Sequence, residues 1–213
     1  MGSDGSPYEK RIDAKGRVLS DECIADEAPF EELPEGWAWA RLATICQVKG
    51  GKRIPAGRKL SIEQTPQKYI RVSDMQNATV LQKDVRYVPT DLIEKLSRYT
   101  ISCNDIYITV AGSIGRVGLI PESFNGANLT ENADKLVFFL PFNKQWLCGL
   151  LTSPMIQLLI KEATTQVGQP KLAIKRIETF LLPIPPLAEQ RRIAERVEEL
   201  MPLVEEYGKL EDA

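Results

Sequence analysis

Phe180-Leu181-Leu182-Pro183-Ile184-Pro185-Pro186-Leu187-Ala188-Glu189-Gln190 is where the chain changes character. Beyond it, Ile193, Val197, Leu200, Val204 and Tyr207 recur at spacings of 4, 3, 4 and 3 residues, with Glu and Arg on the remaining faces. That pattern is the seam of a coiled-coil helix, expected over residues 188–213. The proline density predicts a stiff extended connector leading into it. Pro202 predicts a kink or the end of the first helical section. A helix with one narrow apolar seam must bury that seam, so Ile193, Val197, Leu200, Val204 and Tyr207 are the expected partner or dimer interface.

Upstream, residues 33–187 read as one α+β domain. Leu33-Pro34-Glu35-Gly36-Trp37 makes a turn before Trp39, Leu42, Ile45 and Val48. Tyr69-Ile70-Arg71-Val72-Ser73 alternates, which predicts a strand with Ile70 and Val72 on one face and Tyr69, Arg71 and Ser73 on the other. Further strands are expected over Asp105–Val110, Arg116–Ile120 and Lys135–Leu140, the last two stopped by prolines. Helices are expected over Lys144–Thr152 and, capped by Ser153 with Pro154 at its start, to Ala163. A short helical stretch follows near Leu172–Ile177. Residues 1–32 begin with small polar residues of the kind found in an added expression leader, and continue acidic and poor in apolar groups. They predict a flexible or loosely packed arm.

Composition excludes several function classes. The 213 residues contain no histidine, so no mechanism with an imidazole base operates here. Cys23, Cys46, Cys103 and Cys148 are scattered without metal-ligand or disulfide spacing, which fits a reducing cytoplasm and no metal site. Apolar runs such as Leu136–Leu140 fall far short of the roughly 20 residues that span a bilayer. No Asn-Pro-Pro-Tyr or Phe-x-Gly-x-Gly methyltransferase signature is present. Asp74 with Asp84, and Glu131 with Asp134, are expected to be solvated surface carboxylates rather than acid/base pairs.

Charge is unevenly distributed. Residues 1–36 hold 4 Lys/Arg against 10 Asp/Glu, residues 37–187 hold 19 against 11, and residues 188–213 hold 4 against 8. The net charges are therefore −6, +8 and −4, and the middle segment is the expected electrostatic footprint for phosphate. Within it Lys49, Lys52, Arg53, Arg58, Lys59, Lys68 and Arg71 are relieved only by Glu63. Gln169, Lys171 and Lys175, with Arg176, form a second basic patch in a polar loop. Gly112-Ser113-Ile114-Gly115-Arg116-Val117-Gly118 matches no nucleotide-cradle spacing and is followed by a strand, so it reads as a hairpin. Its glycines would let it approach a ligand closely, with Arg116 at its edge. Ser73, Thr109, Ser113 and Gln169 complete the expected DNA-facing set as base readers. A solvated basic surface, or a docking face for an acidic protein assembling through the C-terminal helix, is the alternative reading.

Taken in order, four stretches resemble the specificity (S) subunit of type I restriction-modification systems. They are Leu33–Trp37 followed by Leu42, Tyr69-Ile70-Arg71-Val72-Ser73-Asp74, Asp105-Ile106 leading to Gly112–Arg116, and Pro183–Gln190 opening a heptad helix. The resemblance covers residue 33 to about residue 207. It implies one DNA target recognition domain with a curved mixed or antiparallel sheet, followed by one spacer helix. It also implies two such domains per assembly, each reading half of a split double-stranded site. Methyltransferase (M) and restriction (R) subunits would then be the partners. S-adenosylmethionine, ATP and magnesium are expected only in those partners, with no cofactor in this chain. The second recognition domain would come from a longer chain or from a homodimer mate.

Overall fold

The computed structural model describes residues 7–28, 32–165 and 168–211, with side chains described through Val204. In chain order, β1 (Tyr8–Ile12) and β2 (Val18–Cys23) form a hairpin, and β3 (Ala38–Arg41) passes through the one-turn helix α1 (Leu42–Ile45) into β4 (Cys46–Gly50). Short strands β5 (Lys68–Ile70), β6 (Met75–Gln76), β7 (Thr79–Val80) and β8 (Arg86–Tyr87) precede α2 (Ile93–Leu96). Then come β9 (Ile106–Thr109), β10 (Val117–Leu119), β11 (Asn128–Leu129) and β12 (Ala133–Phe138). Helices α3 (Lys144–Thr152), α4 (Pro154–Ala163) and α5 (Ile174–Glu178), strand β13 (Leu181–Ile184) and the 25-residue helix α6 (Leu187–Glu211) complete the chain.

The chain is an α+β fold with a long C-terminal helix. The central sheet has the order β10-β9-β12-β4 and is antiparallel throughout, whereas β5 pairs in parallel with β11 and antiparallel with β8. Leu42, Ile106, Leu136, Leu147, Leu151, Ile156 and Ile177 are fully buried between the central sheet and the helices. Each such side chain contributes roughly 1.5–3 kcal/mol. A second cluster around Ile70, Met75, Ile101, Tyr107 and Leu129 packs the smaller strands together. The expected helix ends are observed. Asn143 caps α3 by accepting from the Trp146 amide at 2.8 Å, and Ser153 caps α4, with Pro154 opening it.

Four expectations are corrected. The proline-rich connector is a strand: Leu182 pairs with Ala40 and Pro183 with Trp39, and Leu181–Pro183 are buried. Pro183 is tolerated because, among the described residues, this sheet has two strands and one edge of each is unpaired. Of the two outcomes expected at Pro202, a kink or a helix end, the second is excluded, because α6 continues through it. The alternation over Tyr69–Ser73 fails after Ile70, because Val72–Asp74 turn in a 3-10 helix, and Tyr69 and Ile70 are both buried. The acidic arm, expected to be flexible or loosely packed, carries the β1–β2 hairpin. Arg41 ties it to the domain by bonding Glu9 at 3.2 Å and Glu27 at 2.8 Å.

The start of α6 is fastened to the domain. Gln190 is 3% exposed, accepts from the Asn143 amide at 3.0 Å and donates to the Pro185 carbonyl at 3.0 Å. Ile193 and Ala194 pack on the core, but Val197, Leu200 and Val204 are 47%, 38% and 61% exposed. Met201 and Leu203 are exposed beside them, so the open apolar face is wider than the heptad seam. The Tyr207 side chain lies outside the described residues.

Candidate nucleic-acid interface

The register of the central sheet gathers three loops at one end. Asp134 pairs with Gly50 and with Ile108, Ala133 pairs with Thr109, and Val117 pairs with Ile108. The end of β4, the start of β12 and the β9–β10 hairpin therefore lie together. Only glycine fits where β4 ends: a Cβ on Gly51 would overlap the Thr130 carbonyl oxygen and lie 2.5 Å from that of Leu129. This close approach lets Lys52 N donate to Leu129 O at 2.8 Å, fixing the Lys52–Arg53 segment against residues 129–133. On the other side, Val110 N donates to Asn132 O at 2.8 Å and Leu172 N to Val110 O at 3.0 Å. Ala111 and Thr165 both bridge to Lys171. Lys52, Arg53, Ser113, Arg116 and Lys171 are thus carried by loops tied to one sheet end, and Gln169 lies exposed in the same loop as Lys171.

The expected DNA-facing residues divide by what already holds them. Arg53 pairs with Glu131 at 2.7 Å, and Arg58 makes a two-pronged pair with Asp91 at 2.7 Å. Arg71 bonds Asp74 at 2.6 Å and Asp84 at 3.3 Å. The guanidinium of Arg58 holds the Asp91 carboxyl below its ordinary range. Lys68 donates to the Ser123 carbonyl and sits 4.9 Å from the Phe124 ring, and Lys175 pairs with Glu178 at 3.2 Å. Lys49 stands exposed opposite Lys135. Lys52, Lys59 and Lys171 are exposed and pair with no carboxylate among the described residues. Ser73 is exposed in the 3-10 turn beside Asp74.

Thr109 is corrected. It is fully buried, its hydroxyl donates to the Ser113 carbonyl and accepts from the Arg116 amide at 2.9 Å, so it braces the hairpin and does not face a ligand. The carboxylates are corrected as well: Asp74 and Asp134 are 6% and 3% exposed. Asp74 is satisfied by Arg71, whereas Asp134 Oδ2 has no hydrogen-bond partner among the described residues. Burial pushes the Asp134 carboxyl up to about 6, opposed only in part by the Lys171 charge. A polar turn that sequence reasoning missed, Gln76-Asn77, shares a cleft with Arg116. Its signal was an Asn flanked by short β segments, too brief for periodicity to register.

All four cysteines are free thiols. Among the described residues, no helix is long and apolar enough to cross a membrane and no three potential ligand side chains cluster for a metal.

Comparison with known proteins gives this geometry a family context. The chain is 26% identical over 191 residues to the type I restriction enzyme EcoBI specificity subunit of Escherichia coli, covering 83% of this chain and 37% of that protein. It is 29% identical over 183 residues to the EcoAI specificity subunit of the same species, covering 84% and 30%. The chain thus spans about a third of the length of these relatives. Among solved structures, the HsdS subunit from Thermoanaerobacter tengcongensis superposes with a TM-score of 0.65 at 20% identity, covering 88% of this chain and 43% of that one. That likeness is one of fold. The relatives are specificity subunits, not catalytic ones. Residues 34–206 match the family model for the type I restriction modification DNA specificity domain, and the chain belongs to that family.

Proposed function

We propose that this chain reads one half of a split double-stranded DNA target and directs methyltransferase and restriction subunits to it. The observation that carries the reading is the convergence, at one end of the central sheet, of the loops that carry Lys52, Arg116 and Lys171, none of which pairs with a carboxylate among the described residues. Lysines there would grip phosphates while polar side chains meet base edges. The exposed face formed by Val197, Leu200, Met201 and Val204 on α6 supports assembly with a second recognition domain, in the same longer chain or in a homodimer mate. S-adenosylmethionine, ATP and magnesium are left to the partner subunits, and the free thiols suit a reducing cytoplasm.

Duplex binding measured across 50–200 mM salt tests this reading. Neutralising about six phosphates gives a log–log slope of roughly −5, and an affinity indifferent to salt would overturn it. Salt-dependent binding that enriches no sequence from random duplexes would instead favour a module that docks an acidic partner.

A further inference from the structure

The β9–β10 hairpin does more than reach toward Lys171. Its far side closes a cleft of about 440 Å³ against the β6–β7 turn, lined by Gln76, Asn77, Ile114, Arg116, Thr152 and Gln157, with no carboxylate among its walls. Asn77 and Ala78 both lie in the left-handed region, at φ 51° and 54°. A two-residue hairpin turn of this hand suits strand twist, but an alanine adopts the conformation only where its surroundings hold it. They do: Ala78 O accepts from Leu119 N at 2.9 Å, and a Cβ on Gly118 would lie 2.5 Å from the Ala78 carbonyl carbon. The Tyr107 hydroxyl donates to Thr79 O at 2.9 Å from beneath. The turn is therefore pinned against β10, with Gln76 and Asn77 exposed.

Arg116 differs from Arg53, Arg58 and Arg71 in pairing with no carboxylate among the described residues. One of its N–H groups meets Met75 O at 3.3 Å, and the rest of the fork is uncommitted. Gln157 forms a wall with its donors engaged, its side-chain NH2 donating to Gly115 O at 2.9 Å and to Leu151 O at 2.7 Å. Gln76 gives one N–H to Ser73 O at 2.8 Å and keeps its other donor and its acceptor. A free guanidinium fork beside free carboxamides is the donor–acceptor set that reads base edges: arginine against guanine O6 and N7, Asn or Gln against adenine N6 and N7.

We infer that Arg116 and the Gln76–Asn77 turn form a base-reading subsite for two adjacent base pairs, with Arg116 against a guanine. This rests on the DNA-recognition reading above. The test is selection from a random duplex library by the full chain and by Arg116→Lys, Gln76→Ala and Asn77→Gly, the last keeping the left-handed turn while removing the carboxamide. Arg116→Lys is expected to lose about tenfold discrimination at one G·C pair while its salt slope stays unchanged, because the charge remains and the fork does not. Gln76→Ala and Asn77→Gly are expected to relax the neighbouring position. Thermal melts identify any variant that fails to fold, and the remaining variants then decide. Variants that enrich the wild-type sequence with undiminished discrimination, or that lose affinity evenly for every sequence, overturn the inference and leave DNA recognition standing. A wild-type chain that enriches no sequence overturns both.

Discussion

The Lys49–Arg71 segment and the sheet end formed by the β9–β10 hairpin and the Lys171 loop both look basic in sequence, yet the fold treats their arginines oppositely. In the first, every arginine is matched: Arg53 by Glu131, Arg58 by Asp91, Arg71 by Asp74 and Asp84. In the second, Arg116 pairs with no carboxylate among the described residues, Lys171 is exposed, and even the buried anion, Asp134, lacks a hydrogen bond on one oxygen. Matched charge holds a scaffold together, whereas unmatched charge is available to a ligand. A count of basic residues therefore overstates the phosphate footprint of the first region, where Lys52 and Lys59 but no arginine are left without a carboxylate among the described residues.

The largest effect is expected where the two regions are joined. Gly51→Ala should destabilise the fold by about 3 kcal/mol or more, because the added Cβ meets backbone that cannot yield; a melt within a degree of wild type would show that the turn is not close-packed. Next, Arg71→Ala should cost about 2–3 kcal/mol in denaturant unfolding by stranding the buried Asp74 carboxylate, the exposure of Arg71 keeping the loss below that of a fully buried pair. Arg116→Ala should change stability little, since no ion pair is broken. Equal losses for the two would erase the contrast.

Asp134→Asn is expected to stabilise the protein by up to about 3 kcal/mol at pH 7–8. The Asp134 carboxyl moves up from 3.8 to about 6 on folding, so the folded state binds its proton more tightly than the unfolded state does. The penalty for the ionised form is full above about pH 6 and vanishes below about pH 4, where both states are protonated. Unfolding curves of the two proteins should therefore converge as pH falls. Smallest are the changes in salt slope. Lys52→Ala and Lys171→Ala should each flatten it by about one unit, and Arg58→Ala by clearly less, since Asp91 already offsets that charge.

How far the fold was legible follows from the range of the interactions involved. Helices α3 and α4 were readable because the signals that place them, above all Ser153 and Pro154 at the start of α4, are local. The long helix α6 was readable because its repeat is also local, whereas the packing of Ile193 on the domain's own core was not. The strand Leu181–Ile184 was misread because its partner, Ala38–Arg41, lies about 140 residues earlier, and no local pattern announces such pairing. Thr109 and Asp134 went wrong for the same reason: polar residues read as exposed, and only the sheet register buries them. The ion pairs that neutralise Arg53 and Arg58 span 78 and 33 residues, beyond the reach of any charge-cluster count. The candidate interface was therefore legible as a region, but not in which of its charges are free.

Selection of the intact chain against a random double-stranded library addresses the central claim most directly. The expected outcome is a single contiguous block of a few base pairs, half of a split site, bound with an affinity that falls steeply with salt. A chain that enriches no block, or whose binding ignores salt, would contradict it.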